Sequence, residues 1–411
     1  MIQRTIQSAL IQAIHTKPVV LITGARQVGK STLCAEIAKE YHYHYVSLDH
    51  LREREAAIQD PELFLQLHDA PLIIDEVQYT PKLFDVIETI VNEKKIKGED
   101  NKGMYILTGS QAYHFSEGVS QSLAGRVGII EMSPLSLREI RALKEEPFVI
   151  DSVRNEERAK DNPVDVNFLA EQIVKGFYPE QYDNPLLDSE SFYADYVRTY
   201  VERDVAQLIH LQDQLKFQRF MEVVASLTGQ ELVVNNLAKA IGVSSITIAS
   251  WLSVLVAGGI VYLLEPYHEN SVLKRAVKRP KIYFADTGLA AYLARLNHPQ
   301  TLKNSLFWGH FVETYMVNEI TKSYRNNNKK TNFYCYRDAD QKEIDLVMLE
   351  GRTLHFVECK AGVSFQKDAV SAFHTLANVT QYAVGDSAVI CLTDVVYPIE
   401  KGVYALPVGA I

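Results

Sequence analysis

The chain has 411 residues, a net charge of −9 and a 47% share of hydrophobic residues. This composition predicts several domains with apolar cores, and it excludes a uniformly basic nucleic-acid-coating protein, so any DNA contact must come from a local basic patch. No segment approaches the roughly 20 apolar residues of a membrane span. The first residues also lack a signal-peptide pattern, so we expect a cytoplasmic protein with no membrane partner.

Four cysteines, Cys34, Cys335, Cys359 and Cys391, are widely separated along the chain. No two of them have the CxxC spacing that is typical of zinc sites and redox motifs. They therefore predict reduced thiols in a cytosolic protein rather than a disulfide or zinc framework.

The first 140 residues alternate between strand-like and helix-like segments, a pattern that predicts a parallel α/β sheet. The candidate strands are residues 18–23, 43–48, 71–75, 103–108 and 127–132.

A glycine-rich segment follows the first candidate strand and precedes a helix-like run. It matches the pattern GxxxxGK[ST], with the residues Gly24, Ala25, Arg26, Gln27, Val28, Gly29, Lys30, Ser31 and Thr32. Glycines let successive backbone N–H groups close around phosphate at the positive end of the helix dipole. Lys30 is expected to reach the β- and γ-phosphates, and Ser31 to hold Mg²⁺. The segment predicts a site for ATP and Mg²⁺.

The third candidate strand ends in two carboxylates, Asp75 and Glu76. At this place after a phosphate loop, Asp75 is expected to assist Mg²⁺ at the nucleotide site, and Glu76 to polarise the attacking water. The fourth strand runs into Thr108, Ser110 and Gln111. Each is a candidate for sensor 1, the polar residue that helps to position the attacking water in AAA+ proteins. A simple polar loop is the alternative.

Arg126 lies in a short turn before the fifth candidate strand. An arginine at this edge is a candidate for a catalytic finger that acts in trans on the γ-phosphate of a neighbouring subunit, which would require a homo-oligomer. The alternative is an ordinary surface ion pair.

Residues 140–165 are charged and irregular, which indicates a domain boundary. Helical periodicity follows from 167 to about 211 and is interrupted at Gly176-Phe177-Tyr178-Pro179. The tyrosine and valine stripe of residues 192–205 is interpreted as core packing.

Residues 215–285 have the element order of a winged helix-turn-helix. The predicted elements are helices at 215–228, 234–241 and 246–255 and strands at 260–264 and 281–284. The connection between the strands carries Lys274, Arg275, Lys278 and Arg279, which suit phosphate contacts. The third helix has no Arg, Lys, Asn or Gln to read bases, so we expect DNA binding of low sequence specificity. A packing module is the alternative.

The last third of the chain carries acidic residues in strand contexts. Glu358 and Lys360 are two apart on a candidate strand and therefore face the same side. Asp345 would lie beside them if its strand and theirs pair as a hairpin. This is the D…(D/E)xK pattern of restriction-endonuclease-like folds, in which carboxylates hold Mg²⁺ and the metal and lysine activate water. Glu313, on a preceding helix, is a candidate to complete the metal shell.

These motifs together resemble a widespread prokaryotic family of AAA+-type P-loop ATPases. Its members carry a C-terminal domain of unknown function, made of a winged helix and a restriction-endonuclease-like PD-(D/E)xK module. The similarity extends over essentially the whole chain and includes the motifs Phe284-Ala285-Asp286-Thr287-Gly288-Leu289 and Arg203-Asp204. The chain departs from the family at Phe177, where a second glycine is usual, and at Ser31, where threonine is usual.

The resemblance implies an α/β protein with four parts. They are an AAA+-type ATPase core at 1–145, a helical lid at 146–212, a winged helix-turn-helix at 213–290 and a restriction-endonuclease-like domain at 291–411. It implies binding of ATP with Mg²⁺ but names no substrate. Two functions stay open: an ATP-dependent enzyme that cuts DNA at a metal site, and a non-cleaving switch in which ATP controls binding to DNA or protein.

Overall fold

The computed structural model describes residues 2–109, 123, 125–200, 214–268 and 279–411. The chain forms two compact units. The first unit comprises Met1–Leu135, Ala257–Gly259 and Arg325–Lys329, and the second comprises Ser136–Val256, Ile260–Tyr324 and Lys330–Ile411. The four-domain division expected from the sequence stays a prediction.

A five-stranded parallel sheet forms the centre of the first unit. Its strands are β1 (Val19–Thr23), β2 (His44–Ser47), β3 (Leu72–Asp75), β4 (Tyr105–Thr108) and β5 (Val127–Glu131), in the spatial order β2-β3-β4-β1-β5. All four neighbouring pairs are parallel. The five strands and their parallel pairing confirm the sequence prediction for this part of the chain.

One helix precedes the first strand, and others connect successive strands of this sheet, as parallel pairing requires. They are α1 (Gln7–Thr16), α2 (Lys30–Tyr41), α3 (Leu51–Gln59), α4 (Pro61–Leu67) and α5 (Leu83–Ile96). Strands β1, β3 and β4 are fully buried, and Leu21, Ile74 and Leu107 from them share one core with Phe84 and Ile87 of α5. The buried sheet fixes the position of its carboxyl edge, where β1 runs into the glycine-rich loop.

The second unit begins with short helices. They are α6 (Leu137–Ile140), α7 (Ser152–Asp161), α8 (Val166–Lys175), α9 (Glu180–Asp183) and α10 (Ser189–Tyr200). Polar caps start three of them: Ser136 forms a capping box at α6, and the side chains of Asp151 and Asp165 accept backbone N–H groups at α7 and α8. The tyrosine stripe of α10 is buried as predicted as far as Tyr200, whereas residues 201–205 lie outside the described residues.

Helices α11 (Gln214–Ser226), α12 (Val234–Ile241) and α13 (Ser245–Ala257) come next, with strands β6 (Gln230–Glu231), β7 (Val261–Leu264) and β8 (Lys281–Phe284). The strands form an antiparallel sheet in the order β6-β8-β7. Ser244 caps α13 by accepting the N–H of Thr247 at 3.0 Å. The three helices and two strands predicted for 215–285 are present in the predicted order, and the short strand β6 was not predicted.

Among the described residues no single helix has the length and hydropathy to cross a membrane. The pair α12 and α13, bent by 106°, satisfies that length and composition test when its two members are taken together.

The rest of the second unit is a mixed sheet with helices. The helices are α14 (Thr287–Leu293), α15 (Pro299–Lys303), α16 (Trp308–Arg325) and α17 (Ser371–Val379). The strands are β9 (Phe333–Arg337), β10 (Glu343–Glu350), β11 (Thr353–Cys359), β12 (Ala383–Val384), β13 (Ser387–Cys391), β14 (Tyr397–Glu400) and β15 (Val403–Pro407). Their order is β14-β15-β13-β11-β10-β9, with β12 beside β11. The four cysteines of the chain are free and buried.

Strands β10 and β11 pair as the antiparallel hairpin that the sequence predicts. The register sets Leu346 opposite Val357, so Asp345 and Glu358 are neighbours across the hairpin. Strand β13 then pairs parallel to β11. The hairpin therefore brings together residues of the D…(D/E)xK pattern that are separated in sequence.

Two of the family-like motifs meet in a buried structural contact rather than at a reactive site. The buried carboxylate of Asp286 accepts hydrogen bonds from the N–H of Phe177 at 2.6 Å and from the hydroxyl of Tyr193 at 2.9 Å. Gly176 and Gly288 pass against each other here, and a Cβ on Gly288 would lie 2.8 Å from the Cα of Gly176 and would overlap the Tyr193 hydroxyl. The motifs fasten α8 and α10 to α14.

We expect Gly288→Ala to lower the free energy of unfolding of the protein, because the new methyl group has no space beside Gly176 and Tyr193. The expected cost is about 1–3 kcal/mol, measured as a lower midpoint of denaturant unfolding. Gly309→Ala is the matched control, since Gly309 also stands second in its helix and a Cβ there would meet nothing within 4 Å. The control should be neutral or stabilising. Equal stability of the two variants would contradict this account of the contact.

Candidate functional site

The glycine-rich loop between β1 and α2 holds the side chain of Lys30. Its Nζ donates to the carbonyl oxygens of Gly24 at 2.9 Å and Ala25 at 2.7 Å, and the residue is only 6% exposed. Ser31 and Thr32 follow on the first turn of α2 and are exposed. The structure thus places the ammonium inside the loop and the two hydroxyl groups at the helix start.

Contacts on both sides fix the backbone of the loop. Gly24 has φ +144° and lies against β5, so that a Cβ on it would overlap the carbonyl oxygen of Met132. Arg4 donates at 2.7 Å to the carbonyls of Val28 and Ser133. The helix start at Gly29 has φ 96°, a left-handed conformation that suits glycine. The loop is therefore held in shape by its own unit.

Asp75, at the end of β3, is surrounded by hydroxyl groups. Its Oδ2 accepts from the Tyr45 hydroxyl at 2.6 Å, and its Oδ1 accepts from Thr108 at the end of β4. Burial, followed by the hydrogen bond to Asp75, raises the pKa of Tyr45, and the neighbouring side chain of Ser31 opposes that rise. Tyr45 thus contacts Asp75 directly and lies near Ser31, the two residues that are expected to serve Mg²⁺.

Tyr45 was not among the residues expected from the sequence. It lies on β2, which is next to β3 in the sheet, and its place near Asp75 depends on that strand order. Thr108 was one of the three sensor candidates, and it contacts Asp75 directly. The other two, Ser110 and Gln111, lie outside the described residues.

Glu76 follows Asp75 in a left-handed conformation with φ 58°. Its carboxylate accepts a hydrogen bond from the side-chain amide of Gln78. Burial raises the pKa of Glu76, while the Gln78 hydrogen bond and the charge of Lys30 oppose that rise. A carboxylate with a raised pKa at the strand end is a suitable general base.

Arg126 is engaged with α5 of its own unit. Its Nη1 is 2.9 Å from Glu88 Oε1, and its Nε donates to Asn92 Oδ1 at 2.8 Å. This is the ion pair that the sequence left open as the alternative. The role of Arg126 as a finger in trans stays a prediction.

The residues of the first unit fit a magnesium nucleotide. The ammonium of Lys30 donates to neutral carbonyl oxygens of the loop. A phosphate can replace these carbonyls as the acceptor, because its negative charge adds attraction to the ammonium. The hydroxyl of Ser31 and the carboxylate of Asp75 are oxygen ligands of the kind Mg²⁺ prefers. The nucleotide and Mg²⁺ roles of these residues stay predictions, and the geometry suits them.

The second group of candidate residues lies in the second unit, on α16, β10 and β11. The N–H of Cys359 donates to Asp345 Oδ2 at 2.9 Å, and Lys360 Nζ donates to Glu358 Oε1 at 2.7 Å. Asp345, Glu358 and Glu313 are each less than one-tenth exposed. The structure brings the predicted residues together, with Glu313 reaching the group from α16.

Lys281, which the sequence analysis did not single out, lies between two of these acids. Its Nζ donates to Glu313 Oε1 at 2.7 Å and to Asp345 Oδ1 at 2.8 Å, and it is 3.9 Å from Glu343 Oε2. Lys281 is the first residue of β8 and is 6% exposed. Lysine is seldom fully buried without a charged partner. A lysine opening an otherwise apolar strand was the signal in the sequence.

Burial and the neighbouring charges shift the pKa values of the groups in this cluster. Burial raises the pKa of Glu313 to about 7 and that of Glu358 to about 8. Burial would also raise the pKa of Asp345, but Lys281 outweighs it and holds that pKa below its usual value. Burial disfavours the ammonium of Lys281, and the two carboxylates outweigh that effect and raise its pKa. Lys281 and Asp345 therefore form a charged pair.

In this arrangement the predicted metal ligands Glu313, Asp345 and Glu358 do not fit a resident Mg²⁺. The ammonium of Lys281 takes one oxygen of Glu313 and one of Asp345, and Cys359 donates to the other oxygen of Asp345. Among the described residues no group of three or more His, Cys, Asp or Glu side chains has a metal-holding geometry. The metal role of these acids stays a prediction that the geometry does not favour.

A cavity of about 470 Å³ lies beside the cluster and is lined by Glu358, Lys360, Lys342 and Ser364, among others. The second oxygen of Glu358, Oε2, is buried and has no hydrogen-bond partner among the described residues.

Of the four predicted DNA contacts, Arg279 has a side chain that is 61% exposed and lies 3.9 Å from Glu231. Lys274, Arg275 and Lys278 lie outside the described residues.

Three segments of the chain each match the model of a protein family. Residues 16–141 match an AAA domain. Residues 167–300 and 308–411 each match a domain of unknown function, DUF8612 and DUF4143 respectively. The chain therefore carries an AAA domain, most of which lies in its first unit, and the other two matches name no activity.

Two curated proteins are similar over most of the chain. They are uncharacterized protein Rv2008c of Mycobacterium tuberculosis and uncharacterized protein Mb2031c of Mycobacterium bovis, each 27% identical over 356 residues. The similarity covers 86% of this chain and 73% of each relative.

Solved structures are similar at a lower level. The Walker-type ATPase PABY2304 of Pyrococcus abyssi matches at 13% identity and a TM-score of 0.39, over 70% of this chain and 94% of that one. RuvB, the Holliday junction branch migration motor of Thermotoga maritima, matches at 15% identity and a TM-score of 0.32, over 64% and 89%. At these TM-scores neither likeness bears on the activity or partners of this chain.

We expect Tyr45→Phe to reach half-maximal ATP hydrolysis at a lower Mg²⁺ concentration than the native chain. The Tyr45 hydroxyl donates to Asp75, a side chain expected to serve the metal, and therefore competes with the metal for that carboxylate. The expected change is about threefold, the size of a net hydrogen bond of about 0.7 kcal/mol. The measurement is ATP turnover against Mg²⁺ concentration.

Tyr43→Phe is the control for this change. The hydroxyl of Tyr43 donates to the carbonyl of Gly103 at 2.7 Å, so its loss should leave the Mg²⁺ dependence unaltered. A Tyr45→Phe variant that requires more Mg²⁺ would show that the hydroxyl positions Asp75 rather than competing with the metal.

Proposed function

We propose that this protein is a nucleotide-controlled switch, which binds and hydrolyses ATP with Mg²⁺ and acts on DNA through its second unit without cutting it. The observation that carries the ATPase part is the meeting of Lys30, Ser31, Asp75 and Glu76 at the carboxyl edge of one parallel sheet. The match of residues 16–141 to an AAA domain supports it independently.

Each residue of the site has a distinct task in this proposal. Backbone N–H groups of the loop and the ammonium of Lys30 would hold the phosphates. Ser31 and Asp75 would hold Mg²⁺, which neutralises charge on the phosphate oxygens when bound. Glu76, whose pKa is raised by burial, would accept the proton of the attacking water. Thr108 already donates to Asp75 and would keep that carboxylate oriented.

DNA is the proposed partner because of the helix pair α12 and α13 and the basic connection from β7 to β8. The two helices are bent by 106°, and α13 is capped at Ser244 as in a helix-turn-helix. Exposed positions of α13, such as Ile246, Ser250 and Ser253, offer no charged or amide group to a base edge. We therefore propose contacts to phosphates, with low sequence specificity, and a protein partner as the alternative.

Metal-dependent cleavage of DNA is the second candidate function. The observation in its favour is the meeting of Asp345, Glu358 and Lys360 across a hairpin beside a cavity of about 470 Å³. The contacts of Lys281 with Glu313 and Asp345 weigh against it, because they occupy the oxygens a metal would need. For this reason we place the non-cleaving switch first.

We expect Lys30→Ala to weaken ATP binding at least about tenfold and to abolish hydrolysis, because a charge-assisted contact to phosphate is lost. The measurements are equilibrium binding of a fluorescent ATP analogue and phosphate release. Lys39→Ala is the control, because Lys39 lies on the same helix, is exposed and should change neither value. Unchanged nucleotide affinity in Lys30→Ala would overturn the assignment of the site.

We expect the native chain and Lys360→Ala both to bind DNA and neither to cut it. The measurements are a mobility shift and a cleavage assay on linear, circular and single-stranded DNA with ATP and either Mg²⁺ or Mn²⁺. Cleavage by the native chain that is lost in Lys360→Ala would establish the nuclease instead. The absence of any mobility shift would refute DNA as the partner.

A further inference from the structure

The acidic cluster of the second unit is charge-compensated by a lysine from a distant part of the chain. Lys281 stands 32 residues before Glu313 and 64 before Asp345, and it opens β8 in a different sheet from β10. All three residues are at least nine-tenths buried. An uncompensated charge at such a depth is strongly unfavourable, so the ammonium and the carboxylates require one another.

We propose that the ammonium of Lys281 takes the place of a divalent cation between Glu313 and Asp345, and that removing it creates a divalent-cation site. Carboxylate oxygens from two separate elements, α16 and β10, converge on one point, the Nζ atom, at 2.7 and 2.8 Å, so a cation in its place would be within reach of both. This inference does not rest on the proposed ATPase or DNA function.

Neighbouring groups give the cluster the composition of a cation site. Glu343 Oε2 lies 3.9 Å from the ammonium, so a third carboxylate is near. Glu358 is at least nine-tenths buried, and its Oε2 has no hydrogen-bond partner among the described residues. The set therefore holds more carboxylate oxygens than the two lysines, Lys281 and Lys360, satisfy.

Neutral hydrogen-bond donors also contact the two carboxylates that Lys281 joins. The hydroxyl of Tyr283, two residues along β8, donates to the same Glu313 oxygen at 2.6 Å. Glu313 Oε1 thus accepts from two residues of one strand, and Asp345 Oδ2 is fixed by the N–H of Cys359. Both carboxylates are held in place by groups other than Lys281, so they would keep their positions when another cation replaces it.

The test is the thermal stability of Lys281→Met with and without millimolar Mn²⁺. Without metal, the melting temperature should fall by about 5–10 °C, because two buried carboxylates lose their cation. Added Mn²⁺ should restore most of that loss, with one more Mn²⁺ bound per chain than in the native protein. The native melting temperature should not respond to Mn²⁺ through this cluster.

Lys322→Met is the matched control. Lys322 is 3% exposed and pairs with Glu319 at 2.7 Å, but it lies outside the cluster. This variant should lose stability and gain none from Mn²⁺, which separates a metal site from a general effect of the ion on weakened protein.

If Lys281→Met does not fold without metal, the proposal is tested by whether millimolar Mn²⁺ restores its folded state, with a double variant as the comparison. Lys281→Met with Asp345→Asn removes one charge of each sign, so it should be more stable than the single variant in the absence of metal and should not respond to Mn²⁺. Two results would overturn the proposal. One is a destabilised Lys281→Met that Mn²⁺ does not restore, and the other is Mn²⁺ binding by the native chain that Asp345→Asn abolishes.

Discussion

The buried ion pair of Lys281 with Glu313 and Asp345 is the constraint on which the second unit depends most. It joins the first residue of β8 to α16 and β10, and the ammonium of Lys281 is strongly unfavourable at that depth without its carboxylate partners. The cost of removing water from these charges is met by the short contacts and by the further donors Tyr283 and Cys359. The three-stranded sheet that contains β8 and the mixed sheet that contains β10 are thereby held as parts of one unit.

The first unit contains a buried lysine in a different electrostatic setting. Lys30 donates to two neutral carbonyl oxygens, whereas Lys281 donates to two carboxylates. Both lysines make charge-assisted hydrogen bonds, but only an anionic acceptor adds Coulomb attraction between opposite charges. An incoming phosphate can therefore replace the carbonyls as acceptor of Lys30. Lys281 already donates to carboxylates, so a phosphate would add little to its binding energy. The contrast explains why we assign ligand exchange to the first site and a fixed ion pair to the second.

Local patterns in the sequence predicted much of both sites. The phosphate loop and the carboxylates after β3 depend on contiguous residues, and the neighbours Asp345 and Glu358 follow from one short hairpin. What the sequence did not predict depends on long-range geometry: Tyr45 reaches Asp75 through the order of β2 and β3, and Lys281 comes from another sheet. The family-like motif at Asp286 also proved to be a buried structural contact, which its sequence alone does not distinguish from a reactive site.

The most direct test of the account is to locate Mn²⁺ by anomalous scattering in crystals of the native protein grown with a non-hydrolysable ATP analogue. Both sites are then examined in one molecule under one condition. The account predicts a Mn²⁺ peak beside Ser31 and Asp75 and none between Glu313 and Asp345, where the ammonium of Lys281 lies. A peak at Asp345 and Glu358, with Lys281 displaced, would contradict it and would make the second unit a metal-dependent enzyme.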